Sequence, residues 1–217
     1  MQNATAIVIG ATGATGSELV NQLLTDADFS KVIVFVRRSI EIVNPKLEMH
    51  VVDFDQPENW HHLLRGDVLF SAMGTTLRQA GSKDKQYLID YTYPHDAAKA
   101  ASANGVSTYV LVSAYGANEK SVLFYPRMKG QLDKAVQQLS FKHIHIFRPG
   151  VLWRQADKLR PAEKLMIVVV NALNKIGLLK SQKPMPVKVL AEKMIRVSKS
   201  DIQTNVQIYN LNKIFDL

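Results

Sequence analysis

The sequence predicts an α/β fold in which helices cover both faces of one parallel sheet, a doubly wound arrangement. Short apolar runs alternate with segments of helical spacing as far as residue 150, a pattern typical of parallel strands joined by crossover helices. The first apolar run leads directly into a glycine-rich turn and a helix. A chain of 217 residues with 47% apolar residues can bury one sizeable core. We therefore expect a single domain over residues 1–217.

The N-terminal strand, turn and helix predict a site for a dinucleotide. Residues 6–9 are apolar and residues 17–24 have helical spacing, while Gly10, Gly13 and Gly16 recur between them. Glycines allow the backbone to approach a pyrophosphate closely, and a helix N-terminus points free N–H groups at it. The same pattern also fits a tight turn without a ligand. The residues expected to hold the cofactor here are Gly10, Thr12, Gly13, Ala14, Thr15 and Gly16.

A second predicted strand, residues 31–36, ends in two arginines. In a nucleotide-binding unit the residue after this strand meets the adenosine ribose, where an acid suits NAD and an arginine accommodates the 2′-phosphate of NADP. Arg37 and Arg38 occupy this position, and their guanidinium groups suit a phosphate. The sequence therefore favours NADP (as NADPH) over NAD. Alternatively, both arginines simply cap the strand at the surface.

A third predicted strand, residues 48–52, ends in a polar turn. Asp53 follows it directly, at the edge where ligands bind in open parallel sheets. Its carboxylate is well placed to accept a hydrogen bond from the adenine amino group. Alternatively, Asp55 starts a turn before Pro57, and neither acid contacts a ligand.

Small residues follow the fourth predicted strand, residues 67–71, where they would let the ribose and nicotinamide lie close to the backbone. The cofactor-binding residues expected there are Met73, Gly74 and Thr75. Residues 78–85 are polar, and we expect a loop over the site. A helix that begins near Pro94 and ends at Asn104 follows.

Ser113, Tyr125 and Lys129 are the predicted catalytic residues. Ser113 ends a fifth predicted strand, and the four-residue spacing of Tyr125 and Lys129 places both on one helix face. A phenol has a pKa of about 10, but a lysine ammonium beside it, together with an oxidised nicotinamide, would lower that pKa. Tyr125 could then exchange a proton with a carbonyl oxygen during hydride transfer. Ser113 would position that oxygen, and Lys129 would also reach the nicotinamide ribose.

These motifs together resemble the short-chain dehydrogenase/reductase superfamily, whose members share the Rossmann fold, over nearly the whole chain. The glycine pattern and the Ser113, Tyr125 and Lys129 set are similar to its extended and atypical branches. Residues 52–55 resemble the adenine-contact motif of these branches, which implies that Asp53 and Phe54 bind the cofactor. Residues 148–151 resemble the segment beside the nicotinamide, which implies contacts from Pro149 and Val151.

Further motifs resemble the Tat-interacting-protein oxidoreductase branch of the atypical members. They comprise residues 73–76, 113–117, 124–130 and 147–151. This resemblance implies an NADP(H)-binding protein, and many members of the branch have no settled substrate. The asparagine that completes the catalytic tetrad of many superfamily members has no clear counterpart here, which leaves a proton relay open.

Three hypotheses for function follow. The first is an NADP-dependent oxidoreductase that acts on a carbonyl or alcohol, with Tyr125 as acid and base. The second is a non-catalytic NADP-binding regulator that senses redox state and acts through a protein partner; the intact Ser113, Tyr125 and Lys129 set argues against it. The third is a nucleotide-sugar epimerase or dehydratase with tightly held NAD, which the short C-terminal region disfavours.

The C-terminal part of the sequence predicts a small helical substrate lid. Two helices are predicted at residues 161–179 and 186–199, with a strand at residues 206–209. We expect residues 151–200 to form this lid, within the single domain. The first of these helices is apolar over much of its circumference, which indicates burial against the sheet or, alternatively, the interface of a homodimer.

The positive charge of the chain lies in its second half. Residues 1–108 hold 9 Lys/Arg and 12 Asp/Glu, residues 109–217 hold 18 and 7, and the net charge is +8. Such an asymmetry indicates either an anionic small-molecule substrate or only a solvated basic surface. Arg154, Lys158 and Arg160 could face the substrate.

The composition disfavours several other kinds of protein. No cysteine is present, so disulfides and thiolate chemistry are excluded. The basic residues are scattered among few aromatic residues, so we expect no nucleic-acid partner. Residues 165–170 are too few to span a bilayer, and no leader peptide follows Met1, so we expect a cytoplasmic protein. His143 and His145 alternate on a strand without a metal-ligand spacing, so no metal is expected.

Overall fold

The computed structural model describes residues 2–153, 184–200 and 205–217. The strands of these residues are β1 Ala4–Ile9, β2 Phe29–Val36, β3 Leu47–Val51, β4 Val68–Ser71, β5 Thr108–Val112, β6 His143–Arg148, β7 Leu152–Trp153, β8 Met185–Pro186 and β9 Val206–Asn210. Seven of them form one sheet in the order β3-β2-β1-β4-β5-β6-β9, and β7 pairs with β8. Every pair in both sheets is parallel.

Strand β1 lies at the centre of the large sheet. Ile7 pairs with Ile33 of β2 on one side and with Leu69 of β4 on the other. All three residues are buried, because helices cover both faces and leave no polar face to the strand. The strand order reverses on the two sides of β1, and the crevice at such a reversal is where open α/β sheets bind ligands.

The helices are α1 Ala14–Thr25, α2 Leu77–Ala80, α3 Lys83–Tyr87, α4 Tyr93–Ala103, α5 Phe124–Val136 and α6 Val187–Ser198. Short 3-10 turns occupy Pro57–Asn59, His61–Leu63 and Leu211–Ile214, and a π-helical segment, Leu88–Thr92, joins α3 to α4. Helices α1 and α6 pack against one face of the sheet, and α4 and α5 pack against the other. This arrangement confirms the predicted doubly wound sheet.

Helices α1 and α6 are joined by polar contacts as well as by the core. The side-chain amide of Gln22 donates to the carbonyl oxygen of Lys188 at 3.0 Å. The ammonium group of Lys199, just after α6, lies 2.8 Å from a carboxylate oxygen of Asp26 and 2.7 Å from one of Asp28. Residues 187–198 of the predicted lid thus form a core helix. Of the rest of that lid, Leu152–Trp153 and Met185–Pro186 form β7 and β8. Residues 154–183, with Arg154, Lys158 and Arg160, lie outside the described residues.

One predicted loop is helical. Residues 78–85 fall within α2 and α3 rather than forming an open loop. The hydroxyl group of Thr76 accepts a hydrogen bond from the Gln79 amide, and that of Ser82 accepts one from the Lys85 amide, each at 3.2 Å. Between them Gly81 has φ +84° and ends α2. Two hydroxyl caps and a left-handed glycine therefore convert a polar segment into two short helices.

Candidate active site

A cleft of about 650 Å³ opens at the carboxyl ends of β1, β2, β4 and β5. Its walls are the turn before α1, the segments that follow these strands, and the start of α5. Most of the predicted site residues line it: Gly10, Thr12, Gly13, Ala14, Thr15, Arg37, Phe54, Met73, Gly74, Thr75, Ser113, Tyr125 and Lys129. The structure thus gathers residues from across the first 130 positions around one cavity.

The glycines of the N-terminal turn have different roles. Gly10 has φ +80°, and a Cβ atom there would lie 2.6 Å from backbone atoms of Ala72 and Met73. A Cβ atom at Gly16 would lie 2.0 Å from the carbonyl oxygen of Gly10. These two positions therefore require glycine for packing, and Gly16 is absent from the cleft lining. The Gly13 amide donates to the Gly10 carbonyl oxygen at 2.9 Å, which closes the turn.

The N-terminus of α1 has the properties of an anion site. Its cap residue is Gly13, so no side chain caps it, and its first turn contains no acid. Ala14 and Thr15 face the cleft. The free amides and the helix dipole suit a pyrophosphate, so the residues present fit a dinucleotide.

Arg37 and Arg38 lie beside this helix end. With Thr12 they line a hollow of about 450 Å³ next to the main cleft. Both arginines are exposed, and neither forms a salt bridge with a described residue. Two uncompensated guanidinium groups next to a polar hydroxyl fit a phosphate group.

Asp53 begins a turn, because its carbonyl oxygen accepts a hydrogen bond from the Gln56 amide at 3.1 Å. It is exposed, and its carboxylate accepts a hydrogen bond from the Asp55 amide at 3.0 Å. It is absent from the lining of the cleft, whereas Phe54 lines it and packs with its ring centroid 5.4 Å from that of Tyr93. The Tyr93 hydroxyl bonds to the Asp55 carboxylate. The contact between Asp53 and adenine stays a prediction.

Pro149 and Val151 are likewise absent from the cleft lining. The Pro149 carbonyl oxygen accepts a hydrogen bond from the Tyr115 amide at 2.9 Å, and the Val151 carbonyl oxygen accepts one from the Met185 amide at the same distance. These contacts tie the segment to its neighbours, and Leu152 directly after it does line the cleft. The expected contacts of Pro149 and Val151 with a nicotinamide also stay predictions.

Ser113, Tyr125 and Lys129 all line this cleft. Ser113 is 5% exposed, and its hydroxyl group has no partner in the described residues. Lys129 is 2% exposed, and its ammonium group donates to the carbonyl oxygen of Val112 at 3.2 Å. Tyr125, in the first turn of α5, is 41% exposed. No hydrogen bond joins Tyr125 to either of the other two within the described chain.

Gly130 fixes the position of this end of α5. A Cβ atom there would lie 2.2 Å from the amide nitrogen of Glu119 and 2.3 Å from the carbonyl carbon of Asn118. The loop before α5 therefore presses directly on the helix backbone, next to Lys129. The Asn118 amide also donates to the Pro126 carbonyl oxygen at 3.0 Å. This contact fixes how far Tyr125 and Lys129, the two predicted catalytic residues of α5, reach into the cleft.

Burial sets the proton affinities of the site. It lowers the pKa of Lys129, an effect that the carboxylates of Asp90 and Asp133 oppose. Burial and the Asp90 carboxylate raise the pKa of Tyr125 to about 12. The sequence predicted a lowered pKa for Tyr125, whereas burial and the Asp90 carboxylate both act in the opposite direction in this structure. Tyr125 is a protonated phenol at neutral pH.

Asp90 is a buried acid that none of the sequence motifs pointed to. It is 1% exposed, and burial raises its pKa to about 6 against the opposing effect of Lys129 and of the Thr75 amide. In the sequence, Asp90 stands out as a single acid within the otherwise apolar and aromatic run of residues 87–91.

Comparison with protein families gives a match over residues 10–158 to a family described as NAD(P)H-binding. Protein FMP52, mitochondrial, of Candida glabrata is 41% identical over 155 residues, which are 70% of this chain and 65% of the relative. Protein HTATIP2 of Rattus norvegicus is 35% identical over 169 residues, 76% of this chain and 69% of the relative. The chain thus spans about two thirds of the length of these relatives.

Solved structures share the fold at low identity. MoeE5 in complex with UDP-glucuronic acid and NAD has a TM-score of 0.72 at 15% identity, over 95% of this chain and 76% of that one. A short-chain dehydrogenase/reductase superfamily protein from Agrobacterium tumefaciens with bound NAD has a TM-score of 0.70 at 12% identity, over 95% and 77%. At these identities the likeness shows the fold alone.

The described residues show neither a metal-binding cluster nor a membrane-spanning helix. They contain no group of three His, Cys, Asp or Glu side chains arranged to hold a metal ion. Among the same residues, no helix is both long and apolar enough to cross a membrane.

The ring centroids of His143 and His145 lie 6.5 Å apart, and His145 bonds to the Tyr209 hydroxyl at 3.0 Å.

Proposed function

This chain belongs to the NAD(P)H-binding family and, with its FMP52 and HTATIP2 homologues, to the atypical short-chain dehydrogenases/reductases, and from this membership we propose that it is an NADP-dependent oxidoreductase. It transfers a hydride to or from a carbonyl or alcohol. The observation that carries the proposal is that Ser113, Tyr125 and Lys129 line the same cleft as the glycine turn. A protein that only sensed the nucleotide would have no use for a proton donor there.

The residues that would hold the cofactor are those of the cleft. The amides at the start of α1 would bind its pyrophosphate, and Met73, Gly74 and Thr75 would lie along its ribose and nicotinamide. Arg37 and Arg38, with Thr12, would bind the 2′-phosphate, and these arginines support NADP over NAD. When bound, the cofactor supplies the hydride, and the protein supplies orientation and charge.

Tyr125 is the proton donor in this proposal. Its hydroxyl group gives a proton to the substrate oxygen as the carbonyl carbon is reduced, and in the reverse direction the phenolate takes that proton back. The Ser113 hydroxyl, buried and without a described partner, donates a hydrogen bond to the same oxygen. Lys129 lies one turn further along α5, and its positive charge would stabilise the phenolate left after the proton has moved.

The replacement Tyr125→Phe tests this assignment, because it removes only the hydroxyl group. We expect carbonyl reduction to fall by roughly 100-fold or more, the range typical of general acid catalysis, while NADPH affinity stays unchanged. The matched control is Tyr115→Phe, since Tyr115 is 51% exposed and does not line the cleft. Turnover is measured across a panel of carbonyl compounds, and NADPH binding by fluorescence titration. Full activity of Tyr125→Phe would remove Tyr125 from the mechanism.

The same panel separates an enzyme from a redox-sensing regulator. Absence of turnover with every carbonyl and alcohol, together with capture of a protein partner that depends on NADP, would replace the enzyme proposal with the regulator. Co-purified NAD would instead favour epimerase or dehydratase chemistry.

Substrate charge, assembly and location are further parts of the proposal. We propose an anionic substrate and a homodimer, tested by paired charged and neutral carbonyls and by light scattering. The cytoplasmic location is tested by cell fractionation, since the names of fungal relatives place those proteins in mitochondria.

A further inference from the structure

Asp90 occupies an unusual place in the backbone. It is the middle residue of the π-helical segment Leu88–Thr92. Segments of this kind are rare, cost helix stability and occur frequently at functional sites. Here the segment widens the helix between α3 and α4 and carries a carboxylate that is 1% exposed. A buried acid at such a position requires a partner or a role.

The two oxygens of this carboxylate are used differently. Oδ1 accepts a hydrogen bond from the Thr75 amide at 2.7 Å, which ties it to the segment after β4. Oδ2 has no hydrogen-bond partner among the described residues. A Cβ atom built at Gly74, which lines the cleft, would lie 3.8 Å from Oδ2. The unpartnered oxygen is therefore close to the backbone of a residue that lines the cleft, although Asp90 itself is not part of the cleft lining.

The π-helical segment that carries Asp90 packs against α5, the helix that carries Lys129 and Tyr125. Asp90 and Lys129 are both buried, and no salt bridge joins them. Lys129 is the charge that acts on the Asp90 carboxyl group, and Asp90 acts in turn on the phenol of Tyr125. Lys129 is also influenced by Asp133 from its own helix. Asp133, however, is already engaged, because one of its carboxylate oxygens lies 2.8 Å from Nε of Arg148. Asp90 is thus the acid near Lys129 that is free of a competing cation.

We propose that Asp90 is a positioning residue for the reaction: its free oxygen is the counter-charge that keeps Lys129 protonated in the buried site, and Asp90 also helps to keep Tyr125 protonated until the substrate arrives. This inference rests on the proposed function for its catalytic meaning.

The proposal makes activity depend on the protonation of Asp90. As the pH falls through the Asp90 pKa of about 6, the carboxyl group becomes neutral and Lys129 loses its counter-charge. The wild-type kcat for reduction should therefore change near pH 6. At high pH the carboxylate helps Lys129 and Tyr125 to keep their protons, so its removal should shift the alkaline fall in kcat to lower pH.

The decisive variant is Asp90→Asn. The side-chain oxygen of asparagine can still accept the bond from Thr75, so the fold and the NADPH site are retained while the charge is lost. Asp84→Asn is the matched control, because Asp84 is an exposed acid in the adjoining α3. Asp90→Ala removes both the charge and the bond to Thr75, and we expect it to weaken NADPH binding as well.

The first measurement uses the cofactor-free protein and does not require turnover. With ¹³C-labelled lysine, the Lys129 signal is assigned by Lys129→Arg and followed against pH. We expect its midpoint to fall by about one pH unit or more in Asp90→Asn and to stay unchanged in Asp84→Asn. With ¹³C-labelled aspartate, the wild-type Asp90 carboxyl group should titrate near pH 6. An unchanged Lys129 midpoint in Asp90→Asn would overturn the proposal.

The second measurement is the pH profile of kcat and of KM for NADPH. We expect Asp90→Asn to lose the change near pH 6 while KM for NADPH stays within about threefold, since the contact to Thr75 survives. An equal loss of kcat at every pH, with a raised KM, would show a merely structural role and overturn the proposal. If the wild-type protein reduces no carbonyl, the proposed function fails, and the lysine titration still decides the charge relation between Asp90 and Lys129.

Discussion

The preference for NADPH can be tested by removing the two arginines after β2. Arg37 and Arg38 are exposed, form no salt bridge with a described residue, and line the hollow beside the glycine turn. A hydrogen bond from a charged donor contributes about 1.5–3 kcal/mol, and solvent exposure takes the value to its lower end. The pair together should therefore supply about 2–3 kcal/mol of NADPH binding.

That energy corresponds to roughly 30- to 150-fold in affinity, since about 1.4 kcal/mol is tenfold. We expect Arg37→Ala/Arg38→Ala to weaken NADPH binding by this factor and NADH binding by less than about threefold, because NADH lacks the 2′-phosphate. Fluorescence titration of both cofactors at two salt concentrations measures the effect, and selectivity should fall as salt rises.

Arg65→Ala is the matched control, since Arg65 is an exposed arginine that bonds to the His62 carbonyl oxygen outside the cleft. An equal loss for NADPH and NADH would mean that the arginines hold the site together rather than recognise a phosphate. No loss for either cofactor would mean that they only face solvent.

Two further predictions concern packing and pH. Gly16→Ala should lower the melting temperature markedly, because its Cβ atom would lie 2.0 Å from the Gly10 carbonyl oxygen. In Gly74→Ala the nearest atom to the new Cβ would be 3.8 Å away, so this variant should nearly keep the wild-type melting temperature and weaken NADPH binding. Equal melting temperatures of the two variants in a thermal scan would contradict this. Burial lowers the pKa of His145 to about 4, so as the pH falls this histidine is protonated in the unfolded state before it is protonated in the folded state. The stability that a neutral His145 provides is complete above about pH 6.5 and is lost as the pH falls toward 4. Urea unfolding at pH 7.5 and 5 should show a smaller pH dependence in His145→Gln, and an unchanged dependence would refute the assignment.

The strands were the most predictable part of this fold. Residues such as Ile7 and Ile33 lie in short continuous apolar runs, and the structure pairs them in a sheet buried on both faces. The helix that carries Tyr125 and Lys129 was predictable from its spacing, and in the structure it begins at Phe124. The local sequence pattern was sufficient in these cases, because each element forms regular backbone hydrogen bonds and presents apolar side chains to the core.

Features that depend on contacts between distant segments were not predictable. The role of Gly130 becomes visible only when the loop at Asn118 and Glu119 packs against its helix. Asp90 was overlooked because its partner, the Thr75 amide, is 15 residues away. The pattern of residues 88–92 also does not predict a π-helical segment. The expectation for the Tyr125 pKa considered Lys129 but not burial or Asp90, both of which act in the opposite direction.

The packing of α6 on α1 has a consequence for synthesis on the ribosome. The turn that would hold the cofactor emerges first, but the apolar face of the helix behind it, with Leu19 and Leu23, shares its core with Leu190 and Met194. At about 5–20 residues per second, the ribosome needs roughly 8–35 s to deliver the second helix after the first. During that interval the part of the α1 face that α6 covers in the folded protein stays exposed, while residues of β1 and β2 in the same core, such as Val8 and Val32, are already available to α1. This side of the core is therefore completed only after α6 has been made.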